Sequence, residues 1–171
     1  GGHSYAGFST TSGLMIDVSG MKSVAYNGAT GQVVLGAGSQ NQTVYDNLRP
    51  VSRAVTHGRC LSVGVAGLVL GGGIGFNMRL HGLTIDQLVE TEILLADGRI
   101  LRLNDTENSD LFWACRGAGG GNFGVHTSFT FQTFEVTQLT VFKIDWTTNL
   151  DQLLPVLMDV LTNAPREFGV K

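Results

Sequence analysis

The alternation of apolar and polar positions in residues 125–136 is the clearest strand signal in the sequence. Val125, Thr127, Phe129 and Phe131 fall on one face of an extended segment, and a different set of side chains falls on the other. Because a period of two residues is typical of a β-strand, we predict a strand over this stretch. Residues 14–20, with the sequence LMIDVSG, predict a further strand that ends in a turn.

Turn residues between apolar runs predict two β-hairpins. The first joins residues 24–26 to residues 32–36 through the turn-rich stretch NGATG. The second spans residues 88–103, where two runs rich in apolar residues flank Asp97 and Gly98. An Asp-Gly pair in this setting is a strong hairpin signal, because its backbone readily adopts the tight turns that join antiparallel strands.

Helical spacing predicts a helix after the first hairpin. Apolar residues recur at that spacing from Val44 to Val51, and Pro50 helps to end the helix. Ser39 and Gln42 stand three residues apart just before this segment, in the pattern of a capping box. The sequence therefore predicts that Ser39 caps the helix.

Two further helices are predicted towards the end of the sequence. Ser109 and Asp110 can cap a short helix with the apolar sequence LFW. Residues 149–162 are dense in leucine and indicate a helix, in which Pro155 lies near the first turn or makes a kink. We expect the apolar stripe of this helix to be core or interface. Periodicity does not decide the structure of residues 66–76, which are apolar and rich in glycine.

The order of these elements favours an α+β fold. Strands and helices are interspersed without the regular spacing of βαβ units, which disfavours a doubly wound α/β fold. The character of the sequence changes around Val136, so we place a domain boundary within residues 136–145. The sequence contains no internal repeat.

Composition indicates a packed protein and excludes several kinds of partner. The 171 residues are 43% hydrophobic and 15% charged, which excludes disorder. The net charge of -3 is spread along the chain, which argues against nucleic acid or an anionic membrane as an electrostatic partner. No apolar run reaches the length of a membrane span. Two cysteines leave the redox compartment open, so a cytoplasmic and a secreted location both stay possible.

Glycine is unusually frequent and is concentrated in three clusters. There are 24 glycines against 3 prolines, and the clusters lie at residues 1–7, 64–75 and 117–124. Backbone N–H groups in glycine-rich turns can form a concave nest for a pyrophosphate, to which Ser4 would add a hydroxyl donor. The alternative is that the glycines serve turns and tight packing.

The third cluster also matches the spacing of a Rossmann dinucleotide turn. Gly119, Gly121 and Gly124 give the pattern GxGxxG. In a Rossmann fold this pattern follows a strand and opens a helix, whereas here it follows a predicted helix and opens a predicted strand. The context therefore argues against a Rossmann-type NAD-binding dehydrogenase.

Taken together, these motifs resemble a known family. GGHSYAG, HGRCLSVGVAGLVLGGGIGFNMRLHGLTID, LADGR and SDLFWACRGAGGGNFGV occur in that order. They resemble the PCMH-type FAD-binding domain of the berberine bridge enzyme-like flavoproteins, which belong to the vanillyl-alcohol oxidase type. The resemblance covers residues 1–135 and implies the second subdomain of that domain. Residues 136–171 would then begin a substrate-binding domain. A start at GGHSYAG, without Met, leads us to expect a piece of a longer protein.

The resemblance implies a flavin attached to the protein at two points. In that family the His of the GGH motif bonds the 8α-methyl carbon of the flavin, and the Cys of the G-x-C-x-x-V-G motif bonds flavin C6. Here these residues are His3 and Cys60. The other residues that the resemblance implies for FAD binding are Gly1, Gly2, Ser4, Tyr5, Gly58, Val63, Gly64, Gly67, Leu68, Gly72, Gly75, Gly124 and Val125.

The resemblance further implies an FAD-dependent oxidase. Its substrate would be an alcohol, a sugar or an alkaloid-like compound, and O₂ would reoxidise the flavin. The catalytic base would come from a part of the protein outside this sequence, as would the remainder of the FAD-binding domain, so we name no base. The alternative hypothesis is a truncated flavin-binding piece without turnover. No metal site is expected.

Several residues near these motifs are predicted to be structural. Cys115 is more simply explained as a small buried hydrophobic residue than as a reactive thiol. His81, His126, Arg79 and Asp86 have no motif-level role.

The neighbours of Cys60 in sequence suggest one further hypothesis. Cys60 must react as a thiolate, and the nearby His57 and Arg59 would favour that form. In an extended segment, however, both side chains would point to the face opposite Cys60.

Overall fold

The computed structural model describes residues 1–136 and 138–169. Over these residues the chain forms seven β-strands and five α-helices. In chain order the elements are β1 Val24–Asn27, β2 Gln32–Gly36, α1 Asn41–Leu48, β3 Arg53–Ala54, α2 Val65–Leu70, α3 Met78–His81, β4 Leu88–Leu94, β5 Ile100–Asn104, α4 Ser109–Cys115, β6 Val125–Gln132, β7 Phe134–Glu135 and α5 Leu150–Asn163. There are also two 3₁₀ turns: Arg49–Val51 directly follows α1, and Thr84–Gln87 directly precedes β4.

Five of the strands form one antiparallel sheet. Its order is β1-β2-β6-β4-β5, and every neighbouring pair runs antiparallel. β3 and β7 pair in a separate two-stranded sheet. An antiparallel sheet with interspersed helices confirms the predicted α+β fold.

The core lies between this sheet and three helices. Its most buried side chains come from β2, β4, β5 and β6 and from α1, α2 and α4. Each is at most 1% exposed: Val33, Leu35, Val44, Leu48, Val69, Ile93, Leu103, Phe112, Cys115, Phe129 and Phe131. Burial of side chains of this size stabilises the fold by roughly 1.5–3 kcal/mol each. The prediction that Cys115 is a buried hydrophobic residue is confirmed, and burial raises the pKa of its thiol.

The hydrophobic pattern predicted most of these elements. β1 and β2 form the first predicted hairpin, and β4 and β5 form the second around Asp97 and Gly98. The alternating segment forms β6 and then, after Thr133, the short strand β7. The helix predicted from Val44 onwards is present as α1, and Pro50 lies in the 3₁₀ turn that follows it.

The strand predicted at residues 14–20 is wrong. Residues 14–18 are irregular, and only the turn at Ser19 and Gly20 is present. Leu14, Met15 and Ile16 are 89%, 58% and 62% exposed. An extended run becomes a strand only where its backbone groups pair with another strand, and no strand among residues 1–136 and 138–169 pairs with this run.

The predicted capping box at the start of α1 is also wrong. The N-cap residue is Gln40, and no side chain caps the helix. The backbone N–H of Gln42, which Ser39 would have to bind, donates instead to the carbonyl oxygen of Leu61 at 2.9 Å. The hydroxyl of Ser39 donates to the carbonyl of Ser23 at 3.4 Å. A long-range contact therefore replaces the local cap.

Two other segments differ in detail from the sequence prediction. Asn108 is the N-cap of α4, so Ser109 and Asp110 lie in its first turn and do not cap it. Residues 66–76, which periodicity left undecided, divide into most of α2 and a glycine-rich loop.

The last helix, α5, lies outside the core. Its predicted position is confirmed, and none of its described residues is buried, so of the two alternatives for its stripe the structure excludes core and leaves interface. Pro155 is the sixth residue of α5 and lies in its second turn. In residues 1–136 and 138–169, no helix has both the length and the hydropathy needed to cross a membrane.

His126 is a buried histidine in the middle of the sheet. It is 8% exposed, and its ring stacks on Phe129 with ring centroids 5.2 Å apart. Nδ1 lies 2.8 Å from the hydroxyl oxygen of Thr91, and that hydroxyl donates to the carbonyl of Ser128 at 2.7 Å. Since the hydroxyl has one proton to give, Nδ1 must donate to it. Burial lowers the pKa of His126 to about 4.

Acid is expected to destabilise the fold through His126. The pKa falls from 6.5 to about 4 on folding, so the unfolded chain binds more protons between these values. The contribution of His126 to the free energy of unfolding is therefore fully present above pH 6.5, and it is lost as the pH falls towards 4. We expect a loss of about 2 kcal/mol in the free energy of unfolding between pH 7.5 and pH 5. Urea unfolding at both pH values measures it.

The His126→Gln variant should lack this part of the pH dependence. His57→Gln is the matched control, because it removes a histidine that is half-buried and lies outside the sheet. An equal loss between the two pH values in the wild-type protein and in His126→Gln would contradict the assignment.

Candidate functional site

The N-terminal residues lie against the loop that precedes α2. Nε2 of His3 lies 2.8 Å from the hydroxyl oxygen of Ser62, and the terminal ammonium group of Gly1 donates to the carbonyl of Ser62 at 3.0 Å. A Cβ atom added to Gly64 would lie 3.4 Å from the Cα atom of Gly1. These contacts hold His3 beside the loop that carries Cys60, although the two residues are far apart in sequence.

The start of α1 fixes this loop from the other side. The backbone N–H of Asn41 donates to the carbonyl of Val63 at 3.0 Å, and that of Gln42 donates to Leu61 at 2.9 Å. The first N–H groups of a helix have no partner within the helix, so they are available to bind another segment. The loop is thereby held to a rigid element of the fold.

His3 and Cys60 both have exposed side chains. A neutral imidazole nitrogen and a thiolate are both nucleophiles that can bond an electrophilic carbon. His3 and Cys60, which the sequence predicts to be attachment points, therefore lie on adjoining segments, and their reactive groups are accessible from solvent.

The remaining residues of the first glycine cluster are less tied to this loop. Gly2 has a left-handed backbone with φ +86°, and no atom lies within 4 Å of the position a Cβ would take. The hydroxyl of Ser4 accepts a hydrogen bond from the backbone N–H of Phe8 at 3.3 Å, and Tyr5 is fully exposed. In the described part of the chain, neither Ser4 nor Tyr5 forms a hydrogen bond to the Cys60 loop.

Gly58 is packed tightly beneath this loop. A Cβ atom at Gly58 would lie 2.8 Å from Nδ2 of Asn41 and 3.3 Å from Cδ1 of Leu68. Gly67 has no atom within 4 Å of its Cβ position, so its backbone is open on that side. Val63 is half-buried.

Gly72 and Gly75 have structural reasons to be glycine. Gly72 has a left-handed backbone with φ +98°, where other residues are strained, and a Cβ at Gly75 would collide with the carbonyl group of His57. Their assignment to the cofactor stays a prediction, as does that of the other nominated glycines.

The third glycine cluster reaches the far end of α2. The Cβ position of Gly120 lies 3.6 Å from Leu70, the last residue of that helix. Gly124 is pressed against Leu94 at the end of β4, and Val125 pairs with the same residue. Helix α2 therefore has the Cys60 loop at its start and the third cluster at its end.

The hypothesis that His57 and Arg59 act on Cys60 receives no support from their contacts. Nδ1 of His57 lies 2.9 Å from the carbonyl of Gly58. The guanidinium of Arg59 lies over the ring of Phe76, 6.0 Å from its centroid. Both side chains have partners other than the Cys60 thiol.

The residues predicted to be structural have structural partners. Arg79 donates to the carbonyl oxygens of Leu161 and Ala164, at 3.1 and 2.8 Å. Asp86 accepts a hydrogen bond from the backbone N–H of Leu83 at 2.8 Å. The ring of His81 stacks on another aromatic ring, that of Phe134, with centroids 3.6 Å apart.

A cavity of about 770 Å³ lies beside the third glycine cluster. Trp113 and Phe123 line it, together with Asp86, Arg116 and Gly117. Neither His3 nor Cys60 is among its lining residues. In the described ranges, no three His, Cys, Asp or Glu side chains group in a way that could hold a metal ion.

The structure also excludes the Rossmann interpretation of Gly119, Gly121 and Gly124. This GxGxxG stretch follows α4 and opens β6, which is the reverse of the required order. β6 pairs antiparallel with both of its neighbours, whereas a Rossmann sheet is mostly parallel.

Sequence reasoning missed two residues of the site. Ser62 joins the two segments, and Asn41 supports the Cys60 loop from α1. Ser62 lies inside the GRCLSVG motif, so its position carried a signal that was not used. Asn41 carried none, because a polar residue at the start of a helix is ordinarily exposed.

The first part of the chain matches a known protein family. Residues 1–104 match a family described as "FAD binding domain". The chain belongs to this family.

Sequence relatives of this FAD binding domain are FAD-linked oxidoreductases. The chain is 40% identical over 179 residues to glucooligosaccharide oxidase of Sarocladium strictum, an alignment that covers 100% of this chain and 36% of that protein. The chain thus spans about a third of the length of this relative.

Solved structures give the same result at the level of the fold. Physcomitrella patens BBE-like 1 is 37% identical with a TM-score of 0.67, covering 68% of this chain and 26% of that one. Acremonium strictum glucooligosaccharide oxidase, described with a 6-S-cysteinyl, 8α-N1-histidyl FAD, is 42% identical with a TM-score of 0.64, covering 68% and 24%. The predicted resemblance to berberine bridge enzyme-like and vanillyl-alcohol oxidase-type flavoproteins is confirmed.

The residues of the FAD binding domain fit the cofactor that its family is named for. Two nucleophilic side chains stand exposed on adjoining segments, as a doubly attached ring requires. Several glycines of the three clusters have open space at the Cβ position, so that a ligand can approach their backbone: Gly2, Gly67, Gly117, Gly119 and Gly121. Open glycine backbone of this kind suits a pyrophosphate.

Proposed function

We propose that this chain is the flavin-holding part of an FAD-dependent oxidase whose FAD is bonded to both His3 and Cys60. The observation that carries the proposal is the hydrogen bond between His3 and Ser62, which ties the His3 segment to the Cys60 loop at 2.8 Å. It is supported by the relative described with a cysteinyl and histidyl FAD. When bound, the flavin accepts two electrons from the substrate.

Ser62 would set the reactive form of His3. If the imidazole proton is on Nε2, it is donated to the Ser62 hydroxyl, and Nδ1 carries the lone pair. That nitrogen would bond the 8α-methyl carbon, and the thiolate of Cys60 would bond C6. In each attachment one hydrogen leaves the flavin carbon and one leaves the side chain. Both hydrogens, with their electrons, go to O₂, which becomes hydrogen peroxide.

The glycine clusters would hold the rest of the cofactor. We assign the phosphate-binding role to backbone N–H groups around Gly2, Gly64 and Gly67, close to the start of α2. Gly124 and Val125 would contribute from the far end of that helix. Residues 1–135 would form the FAD-binding domain, and residues 136–171 the start of the substrate-binding domain.

The names of the relatives support a substrate class. Glucooligosaccharide, xylooligosaccharide and carbohydrate oxidases are among them, so a sugar is the substrate we favour over an alkaloid-like alcohol. Substrate oxidation would pass two electrons to the flavin and then to O₂. The remainder of the full-length protein would supply the catalytic base and the substrate pocket.

Acid precipitation and a peroxide assay test this function. We expect the full-length protein to stay yellow after precipitation with trichloroacetic acid, and to release hydrogen peroxide with an oligosaccharide at a rate of roughly 1–1000 per second, as is typical of enzymes. Oligosaccharides and aromatic alcohols would be compared side by side. A colourless precipitate would refute covalent attachment. A yellow precipitate without peroxide from any of these compounds would instead favour a flavin-binding protein without turnover.

A further inference from the structure

Asn41, the first residue of α1, is a buried polar residue placed directly under the Cys60 loop. It is 0% exposed, and its Nδ2 donates to the carbonyl oxygen of Cys60 at 2.9 Å. Its Oδ1 atom is buried and has no hydrogen-bond partner within residues 1–136 and 138–169. Burying a half-satisfied amide costs free energy, so Asn41 is not the residue that stability alone would place here.

Three hydrogen bonds run from the start of α1 to the loop, and only one depends on a side chain. The backbone N–H groups of Asn41 and Gln42 bind the carbonyls of Val63 and Leu61, and any residue at position 41 except proline would keep these bonds. The third bond goes from the Asn41 amide to Cys60 itself. The identity of residue 41 therefore decides how firmly the Cys60 peptide is held.

The surroundings of the amide fix its orientation. A Cβ atom at Gly58 would lie 2.8 Å from Nδ2 of Asn41, so the amide fills the space beside Gly58. Only the NH₂ group of the amide can donate to the carbonyl of Cys60, which leaves Oδ1 on the other side. The Asn41 amide thus contacts both Gly58 and the carbonyl group of Cys60.

We propose that Asn41 is a positioning residue for the bond between Cys60 and the flavin. It acts through the Cys60 peptide, which it holds so that the exposed thiol is presented to one side, and it does not itself touch the cofactor. This inference rests on the proposed function. The bond it assists takes one hydrogen from flavin C6 and one from the thiol and passes both, with their electrons, to O₂.

Loading of full-length apoprotein with FAD in air tests the proposal. Peptide mass spectrometry at fixed times gives the fraction of flavin attached at Cys60 and at His3. In Asn41→Leu, which keeps the volume and removes the unpaired oxygen, we expect attachment at Cys60 to be about tenfold slower and attachment at His3 to be unchanged. A flavin that carries sulfur at C6 also absorbs differently, so the visible spectrum reports the same loss.

Asn47→Leu is the matched control. Asn47 lies on the same helix, is exposed, and donates its Nδ2 to the carbonyl of Thr43 at 2.8 Å. It should attach flavin at both residues at the wild-type rate. Asn41→Ala, which leaves a cavity where Asn41→Leu does not, should show the same selective loss at Cys60.

The possible outcomes separate this inference from the proposed function. Slow attachment at Cys60 alone, in both Asn41 variants, supports the inference. A wild-type rate at Cys60 in Asn41→Leu overturns it, and so does an equal slowing at both residues, which would indicate a general folding defect. Wild-type protein that carries no flavin at Cys60 refutes double attachment itself and removes the basis of the inference.

Discussion

The double variant His3→Ala, Cys60→Ala is expected to lose its FAD completely on denaturation, whereas each single variant keeps it. Each side chain stands exposed on one of two adjoining segments, and each would provide one of the two bonds. With either bond intact, the flavin stays with the unfolded chain. With neither, only non-covalent contacts hold it, and these vanish when the fold is lost. Mass spectrometry of the acid-denatured full-length proteins gives the answer directly.

The expected masses are simple to distinguish. The wild-type protein and both single variants should carry one FAD per chain, and the double variant should have the mass of the bare polypeptide. Cys115→Ala and His57→Ala are the matched controls, since Cys115 is buried in the core and His57 is half-buried. Both controls should retain FAD at two points. A bare polypeptide from His3→Ala alone would show that Cys60 is no anchor, and the converse holds for Cys60→Ala.

Gly73→Ala is expected to destabilise the fold by about 3 kcal/mol, the largest effect of a single methyl group that we predict. Gly73 has φ +84°, where an L-residue is strained, and a Cβ atom there would collide with the side chain of Thr84. Thr84 is 2% exposed and cannot move into solvent. Its hydroxyl also donates to the carbonyl of Thr56 at 2.6 Å and lies 3.1 Å from the carbonyl oxygen of Gly73, and the collision would disrupt both contacts.

Gly98→Ala separates the two causes. Gly98 has nearly the same φ, +85°, but no atom lies within 4 Å of its Cβ position. Gly98→Ala should therefore lower the free energy of unfolding only by the cost of the backbone strain, about 1 kcal/mol. Urea unfolding of the two variants and the wild-type protein under one set of conditions measures the difference. If both variants lose the same free energy, the contact with Thr84 has no energetic weight.

Local pattern was sufficient for most of the sheet. β6 was predicted because Phe129 and Phe131 alternate with polar residues, and alternation reports which face is buried. The turn residues Asp97 and Gly98 set the second hairpin in the same way, because the backbone of a tight turn restricts which residues it accepts.

Long-range pairing accounts for the predictions that failed. Residues 14–20 have the composition of a strand, but a strand also needs a partner, and composition does not show whether one is present. Ser39 has the sequence of a helix cap, but the N–H group it would bind is taken by Leu61. In both places a contact with a distant segment, or the lack of one, outweighs the local preference.

The candidate site shows the same division. His3 and Cys60 were identified from sequence because they lie within recognisable motifs. Ser62 and Asn41 were not identified, because each acts through a contact with a distant part of the chain. Ser62 contacts a residue 59 positions away in sequence, and Asn41 contacts one 19 positions away. A sequence motif records the reacting groups and residues beside them, such as Ser62, whereas the contacts that hold the segments together are found only when the segments are seen together.

The order of strands in the sheet has a consequence for how the protein is made. β6 lies between β2 and β4, yet it is the last of these three strands to leave the ribosome. Until residues 125–132 have been synthesised, β2 and β4 each present a bare edge, and such edges readily pair with other nascent chains. When β6 inserts between β2 and β4, it covers both edges in a single step. The β1-β2 and β4-β5 hairpins then gain their final arrangement together.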